Sequence, residues 1–414
     1  MSPARVAFGP RVFVLGLLLA HSSFPGHAQQ PNTQSESQIA EQDRDQPRHR
    51  EQWFMHGRLI PGESGAALRY RAHGQKIQLR SEQTSRMNAG IAAASTTAIG
   101  IWTALGPAPL ASDATGLGQQ DYGWVSGRAT AVAVDPADAT GNTVYIGGAY
   151  GGVWKSTNAG PLSPNPASVS WSPLIDNQAT LAVGSIAIQP GNADPTKSVI
   201  LLGTGETNSS MDSYYGLGIL RSADAGNTWT LITQDSSGTH PFAGMGFSKI
   251  AFSTANPGLV VAAAAGASQG VIDGLETPVN TNRGIYYSNN GGVSWNYANI
   301  SDVGTAIQPN SATSVIYNAV AGRFFAAIRF HGFYSSSDGV NWTRLATQPG
   351  GLSTFACPTT PASQGCPIYR GNSRSCPDAM RCTCGMWMKT KMTRESGKAP
   401  MAGIRGRNWM TARL

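Results

Sequence analysis

Charged side chains are scarce in this sequence, where they make up 13% of 414 residues. Glycine and proline are abundant instead, with 49 and 25 copies. Both residues favour turns and interrupt long regular elements. Frequent turn residues predict short strands joined by many turns, which indicates an all-β fold rather than a helical bundle.

Long apolar runs are also missing. Residues 12–20 form an apolar run that is too short to span a bilayer, with Arg5 and Arg11 near it and Gly26-His27-Ala28 after it. This arrangement is typical of a secretory signal peptide over residues 1–28. We therefore expect an exported protein without a transmembrane segment, either secreted or held in the periplasm or at the cell surface.

Cysteine is the third scarce residue type, with five copies. Cys357 and Cys366 lie in one proline-rich loop, and in an exported chain they predict a disulfide that clips this loop. Cys382 and Cys384 form a C-x-C pattern without a second pair of ligands. The sequence therefore predicts no metal site and no cofactor.

One eight-residue stretch, Ser222-Ala-Asp224-Ala-Gly226-Asn-Thr228-Trp229, lies between two β-like runs. Asp224 can accept hydrogen bonds from the backbone of a turn, and Gly226 can adopt a positive φ without a Cβ clash. Trp229 begins the return strand, where its ring can cover the hairpin. The stretch predicts a β-hairpin with an anchored tip, and we call this pattern the box.

The box recurs along the chain. Its copies comprise Ser156, Asn158, Gly160 and Trp171; Ser222, Asp224, Gly226, Thr228 and Trp229; Ser288, Asn290, Gly292 and Trp295; and Ser336, Asp338, Gly339 and Trp342. Their tryptophans are separated by 58, 66 and 47 residues, which suits four strands with their loops. The repeat resembles the Asp-box, or BNR, repeat of sialidase-type β-propellers, a group that includes sortilin-type and xyloglucanase-type propellers.

The resemblance implies a β-propeller of four-stranded antiparallel blades, about four full blades and a partial fifth, in which the box residues are structural. The predicted inner strands are Ala129–Val134, Val183–Ile188, Lys249–Phe252 and Ser314–Asn318, and the predicted second strands are Thr143–Gly147, Val199–Gly203, Leu259–Ala263 and Phe324–Ile328. Trp102-Thr-Ala-Leu105 resembles the strand after each box and predicts ring closure between the two ends. The propeller is expected over residues 98–371, after a disordered or short-helical region over 29–97. Within that region, short helices are predicted over Glu51–Gln83, with a break at Pro61-Gly62.

Residues 372–414 carry nine basic and two acidic side chains, so their net charge equals the +7 of the whole chain. A basic tail usually indicates nucleic acid or a membrane surface as partner. We favour a shift of the reading frame near codon 371, since reading from the third base of each codon permits another box over Ser396–Trp409. The sequence thus predicts an out-of-frame tail of low order and no nucleic-acid partner. A genuine, solvated basic tail is the alternative, and the nucleotide sequence decides between the two.

Ligand chemistry in propellers usually gathers at the end of the ring opposite the boxes, around the central channel. The predicted ligand-binding residues there are Arg128, Tyr150, Tyr214, Tyr215, Arg283, Arg329 and His331, and the expected partner is a glycan or a protein. Glu206 and Asp212, with Asp273 and Glu276 one blade away, are weak candidates for the carboxylate pair of a glycoside hydrolase.

Several features weaken the catalytic interpretation. Acidic residues on loops rich in glycine and serine usually hold turns. The R-I-P motif of sialidases is missing, and Ala149 occupies the position of the catalytic aspartate in the R-T-D-V-G-G segment of xyloglucanase-type propellers. We therefore expect a non-catalytic binding or scaffold module. The alternatives are a glycoside hydrolase or sialidase-like enzyme, and an inactive product with an incomplete ring.

Overall fold

The computed structural model describes residues 65–88, 110–111, 124–125, 127–160, 168–208, 213–276, 281–302, 304–346, 348, 368–375, 382–388 and 410–413. The predicted signal peptide, the strand-like segment Trp102–Leu105 and the cysteine loop with Cys357 and Cys366 all lie outside these residues. Those three predictions therefore stay predictions.

The described chain consists almost entirely of short antiparallel strands. A two-stranded pair, β1 (Leu110–Ala111) and β2 (Trp124–Val125), comes first. Blade 1 contains β3 (Ala129–Val134), β4 (Val144–Gly148), β5 (Val153–Ser156) and β6 (Ser172–Pro173). Blade 2 contains β7 (Val183–Ile188), β8 (Ile200–Thr204), β9 (Ile219–Ser222) and β10 (Thr230–Ile232).

The next two blades repeat this order. Blade 3 contains β11 (Met245–Phe252), β12 (Val260–Gly266), β13 (Gly284–Ser288) and β14 (Asn296–Tyr297), with the short helix Ser268–Ile272 after β12. Blade 4 contains β17 (Ala312–Asn318), β18 (Arg323–Ile328), β19 (Gly332–Ser336) and β20 (Asn341–Arg344). Two extra strands widen blade 4 at its outer edge, because β15 (Asn299–Asp302) runs parallel to β20 and pairs with β16 (Thr305–Ala306).

A side-chain hydroxyl links each inner strand to the next one along the chain. Thr130 Oγ1 donates to Val183 O at 2.6 Å, Ser185 Oγ to Phe247 O at 2.9 Å, Ser248 Oγ to Ala312 O at 2.8 Å, and Thr313 Oγ1 to Gly371 O at 3.0 Å. These contacts place β3, β7, β11, β17 and β21 (Ile368–Ser375) side by side in chain order. Four-stranded sheets arranged in this way about their innermost strands form a β-propeller, with four full blades and a partial fifth.

The inner strands of the four full blades also share a β-bulge near their beginning. Their pairing with the second strand skips Thr130, Gly184, Ser248 and Thr313. A bulge inserts one residue and changes the direction of the side chains on either side of it. Gly184 has no room for a side chain, since a Cβ there would lie 2.3 Å from Gly205 O, and in this blade the hydroxyl comes from Ser185, one residue later.

The core lies between neighbouring blades rather than within them. Three rows of cross-strand neighbours each face the preceding blade: Ile186, Leu202 and Leu220; Ile250, Ala262 and Tyr286; and Val315, Ala326 and Tyr334. Every one of these side chains is at most 7% exposed. The equivalent row of blade 1 is Val132, Ile146 and Trp154. This row is open, with Val132 62% exposed and Trp154 40% exposed.

The box hairpins have the contacts that an anchored tip requires. Asp224 Oδ1 accepts hydrogen bonds from Thr228 N at 2.8 Å and from Ser222 Oγ at 2.7 Å. Gly226 adopts a φ of 94°, and its carbonyl accepts a hydrogen bond from Trp229 Nε1 at 2.9 Å. Burial acts to raise the pKa of the Asp224 carboxyl, but the hydrogen bonds from Thr228 and Ser222 outweigh burial and keep this pKa below its usual value.

The other copies of the box repeat these contacts. Trp295 Nε1 donates to Gly292 O at 3.2 Å, and Trp342 Nε1 donates to Gly339 O at 2.9 Å. In the first copy, Asn158 Oδ1 accepts from Ser170 N at 3.0 Å across the inserted residues 161–167. In each copy the polar side chain therefore holds the backbone of the hairpin tip, and in the last three copies the indole also covers the turn.

The fifth sheet contains β21, β22 (Cys382–Met388) and β23 (Met410–Arg413). It includes residues of the 372–414 segment, for which the sequence predicted low order. Backbone pairing accounts for these strands, because a β-ladder joins main-chain groups and places few demands on side-chain identity. The frame shift itself stays a prediction.

In the described part of the segment for which short helices were predicted, Glu51–Gln83, the chain forms a helix, α1 (Gly65–Asn88). Residues 51–64, with the predicted break at Pro61-Gly62, lie outside the described residues. Its first turns contact the propeller: Ala66 is buried, and Arg69 Nη2 donates to Gln178 O at 3.5 Å. Further along, Tyr70, Ile77 and Leu79 are exposed. No described helix is long and apolar enough to cross a membrane.

Candidate functional site

The antiparallel order of each blade separates two ends of the propeller. The box hairpin joins the third and fourth strands, whereas the loop between the second and third strands and the beginning of each inner strand lie at the opposite end. The loops β4–β5, β8–β9, β12–β13 and β18–β19 therefore share one end with the bulges. The predicted ligand-binding residues all come from this end.

A cavity of about 410 Å³ opens at this end among the beginnings of the inner strands, and we call it the channel-mouth cavity. All five blades contribute to it. Its lining residues are Arg128, Ala129, Thr130, Gly184, Glu206, Thr207, Asn208, Ser248, Lys249, Thr313, Ser314, Arg370 and Asn372. Apart from Ala129 and Gly184 these residues are polar or charged, so the cavity suits a hydrophilic ligand.

Arg128 and Glu206, two of the predicted site residues, meet in this cavity. Arg128 Nη2 donates to Glu206 Oε2 at 2.9 Å. The side chain of Glu206 is 1% exposed, whereas that of Arg128 is 46% exposed. The carboxylate is therefore held in the wall, and the guanidinium extends toward the ligand space.

Lys249 is a lining residue that the sequence analysis did not single out. Its side chain is exposed to the cavity, yet protein atoms surround it on several sides, and this desolvation lowers the pKa of its ammonium. Among the residues that the structure describes, no carboxylate forms an ion pair with Lys249. Its strand was predicted to begin at Lys249, but β11 begins at Met245, and the bulge at Ser248 brings Lys249 into the channel.

The tyrosines that were predicted to stack on a sugar pack against the protein instead. Tyr214 is 7% exposed and Tyr215 is 3% exposed. The rings of Tyr150 and Tyr214 lie 4.3 Å apart, and both tyrosines of the β8–β9 loop share a cluster with Ala66 of α1. Burial, together with a hydrogen bond to Asp273, raises the pKa of Tyr215 to about 12. These residues attach α1 to the ring rather than line the cavity.

Glu276 and Arg283 form a buried ion pair in the β12–β13 loop. Arg283 Nε donates to Glu276 Oε1, and Ala267 N donates to Glu276 Oε2 at 3.3 Å. Burial raises the pKa of Glu276, while Arg283 opposes that shift. The oxygens of Glu276 hold its own loop, so among the described residues it does not pair with Glu206 of blade 2. Asp212, the other predicted partner in blade 2, lies outside the described residues.

The remaining predicted residues lie away from the cavity. His331 is fully buried beside the ion pair of Asp302 and Arg344, and burial lowers its pKa to about 4. Arg329 is half-buried and does not line the channel-mouth cavity. Asp212 lies outside the described residues. His331 is thus a core residue, because the β18–β19 turn directs it inward.

Ala149 is buried, and its N–H donates to Arg128 O at 2.9 Å. The position where xyloglucanase-type propellers carry an aspartate therefore supports the backbone of Arg128. Among the described residues no group of three or more metal-ligating side chains occurs. Glu206 is the only acidic residue among the described residues that line the cavity.

Two solved structures that resemble this chain do so at low sequence identity. No protein-family model and no curated protein matches it. An ancestral GH74 enzyme of known structure has 19% identity and a TM-score of 0.42, over 63% of this chain and 28% of that chain. The GH74 xyloglucanase from Xanthomonas campestris has 18% identity and a TM-score of 0.26, over 62% of this chain and 37% of that chain. This chain spans well under half of either protein, and similarity at this level carries no argument about activity or substrate.

Proposed function

We propose that this protein is a β-propeller that binds a glycan in the channel-mouth cavity, as a module that acts outside the cell. The observation that supports this proposal is the cavity itself, which is about 410 Å³ and lined by polar side chains from all five blades. Hydroxyl and amide groups at Thr207, Asn208 and Asn372 can bond to sugar hydroxyls.

Direct titration of oligosaccharides into the purified chain tests the proposal. Asn208 is exposed and lines the cavity, so Asn208→Trp is expected to fill the mouth and abolish binding. Val293→Trp is the matched control, because Val293 is exposed at a box tip on the opposite end. Equal binding by both variants would place the glycan elsewhere, and no binding by the parent chain would overturn the proposal.

A second candidate function is glycoside hydrolysis, which the position of Glu206 in the cavity wall favours. The usual mechanism needs two carboxyl groups across the glycosidic bond. The described lining offers one, and that one is paired with Arg128. Release of a chromophore from aryl glycosides, lost in Glu206→Gln, would support hydrolysis. Glycan binding without release supports a non-catalytic module.

A further inference from the structure

Positive charge predominates in the channel-mouth cavity. Its described lining contains three cationic side chains, Arg128, Lys249 and Arg370, and one carboxylate, Glu206. Residues 1–371 are balanced in charge, with 21 basic and 21 acidic side chains. The local excess is therefore a property of this cavity and not of the propeller as a whole.

The three cations come from separate parts of the ring. Arg128 precedes β3 in blade 1, Lys249 lies on β11 in blade 3, and Arg370 lies on β21 in blade 5. The positive charges of these side chains repel one another across the channel-mouth cavity, where protein atoms exclude part of the water. Such an arrangement becomes favourable when an anion occupies the space between them.

Lys249 gives the clearest indication that the cavity binds an anion. Nearby protein atoms reduce the hydration of its ammonium, and no carboxylate among the described residues pairs with it, so an anion that enters the cavity would find an available cation there. The residue before it, Ser248, uses its hydroxyl to link blade 3 to Ala312 O of blade 4, which fixes the backbone from which Lys249 projects. The lysine is therefore held at the channel mouth by the inter-blade contact itself.

We propose that the channel-mouth cavity binds the carboxylate of an acidic saccharide between Arg128, Lys249 and Arg370. This inference rests on the proposed function, since it specifies which glycans the cavity selects. Guanidinium groups match the planar fork of a carboxylate. The neutral hydroxyl and amide groups of Thr207, Asn208 and Asn372 then contact the remaining sugar hydroxyls.

Calorimetric titration of the full chain with trigalacturonate and with the neutral galactose trimer tests this inference. We expect the acidic trimer to bind at least about tenfold more tightly, and its affinity to fall as the salt concentration rises. Lys249→Met should weaken binding of trigalacturonate by about tenfold, because it removes one charge-assisted hydrogen bond while retaining most of the side-chain volume.

The matched control is Lys197→Met, because Lys197 pairs with Asp194 in the exposed β7–β8 loop at the opposite end. It should leave binding of both trimers unchanged. Equal affinity for both trimers, insensitive to Lys249→Met, would overturn the charge assignment and leave glycan binding intact. No binding of either trimer would overturn the acidic-saccharide assignment, and the wider titration of oligosaccharides then decides whether the cavity binds another glycan. Inorganic sulfate binding as tightly as trigalacturonate would overturn the saccharide assignment.

Discussion

The third position of each box shows how much one side chain can organise. Asp224 receives two hydrogen bonds from Thr228 and one from Ser222, so a single carboxylate closes the whole turn. Asp338 does the same in blade 4, where burial opposes but hydrogen bonds from Asn341 and Ser336 hold its pKa at about 2. Charge at this position therefore stabilises the hairpin wherever the residue is aspartate.

Asp224→Ala tests that role. We expect a loss of about 1–2 kcal/mol in the free energy of unfolding, because the turn loses its acceptor for one backbone N–H and two hydroxyl groups. Urea denaturation measures the change. Asn227→Ala in the same turn is the control, since Asn227 is exposed and donates one hydrogen bond, and its effect should be about 0.5 kcal/mol or less. Equal effects of the two substitutions would contradict the assignment.

His331 makes stability depend on pH. Burial lowers its pKa from 6.5 to about 4, with Asp302 and Arg344 acting in opposite directions. Between these values the unfolded chain binds the proton and the folded chain does not. Stability should therefore fall as the pH drops from 6.5 to 4, by at most about 3 kcal/mol.

Denaturation at several pH values measures this slope. The carboxyl groups of Asp138 and Asp338, whose pKa is lowered from 3.8 to about 2 by folding, also reduce stability as the pH falls, and their contribution begins at the acidic end of this window. The part of the slope between about pH 5 and 6.5 therefore reports on His331 most directly. In His331→Leu the slope between pH 4 and 6.5 should become smaller. An unchanged slope in that variant would show that another group is responsible.

At the scale of the element, the inner strand is the part with the most demanding geometry. Each of the four full inner strands combines a bulge, an inter-blade hydroxyl contact and an alternating apolar row within six to eight residues. The hydroxyl donors replace main-chain hydrogen bonds that cannot form between blades, since neighbouring blades pack face to face.

Ser185→Ala should remove one such contact. The serine is 2% exposed and donates to Phe247 O at 2.9 Å, so its loss leaves a buried carbonyl with one partner fewer. We expect about 1 kcal/mol of destabilisation in urea denaturation. Thr254→Ala, at an exposed position in the β11–β12 turn, should change stability by less than about 0.5 kcal/mol. A negligible effect at Ser185 would contradict the importance of the contact.

The inner strands also show what the sequence can and cannot predict. Alternation of apolar residues predicted β3 and β7 at the bounds found, Ala129–Val134 and Val183–Ile188. It placed the beginning of β11 four residues too late, because the bulge at Ser248 interrupts the alternation. Hence the position of Lys249 in the channel was not predicted.

The loops were less predictable than the strands, for a physical reason. Whether a loop tyrosine is exposed depends on what packs over it, and Tyr214 and Tyr215 are covered by groups such as Ala66, about 150 residues earlier in the chain. The residues next to the two tyrosines in the sequence therefore do not predict this contact. Arg128 and Glu206 lie at the end of the ring that strand order predicted for them, whereas their roles in ligand binding stay predictions.

At the scale of the whole molecule, each blade packs on the preceding one through equivalent residues. The contribution of such a residue to stability depends on whether its blade has a preceding blade to pack against. Trp154 and Tyr286 occupy equivalent places in blades 1 and 3. Tyr286 is fully buried against the preceding blade, whereas Trp154 is 40% exposed.

Alanine substitution at these two places should therefore have unequal effects. Tyr286→Ala is expected to cost about 3–5 kcal/mol, because it opens a cavity between blades. Trp154→Ala should cost about 1 kcal/mol or less, since no blade formed by the described residues packs against its outer face. Chemical denaturation of both variants gives the comparison. Equal costs would show that another blade covers the row of Val132 and Trp154 in solution.

Blade 2 makes its contact with blade 3 through a donor that is displaced by one place along the strand, because the usual place holds Gly184. The repeat thus preserves the inter-blade hydrogen bond and not the residue type at one position of the strand. A sequence profile compares residues position by position, so it would score the glycine of blade 2 as a mismatch, although blade 2 still forms the inter-blade hydrogen bond. Propellers that diverge in this manner become unrecognisable to sequence comparison long before their architecture changes.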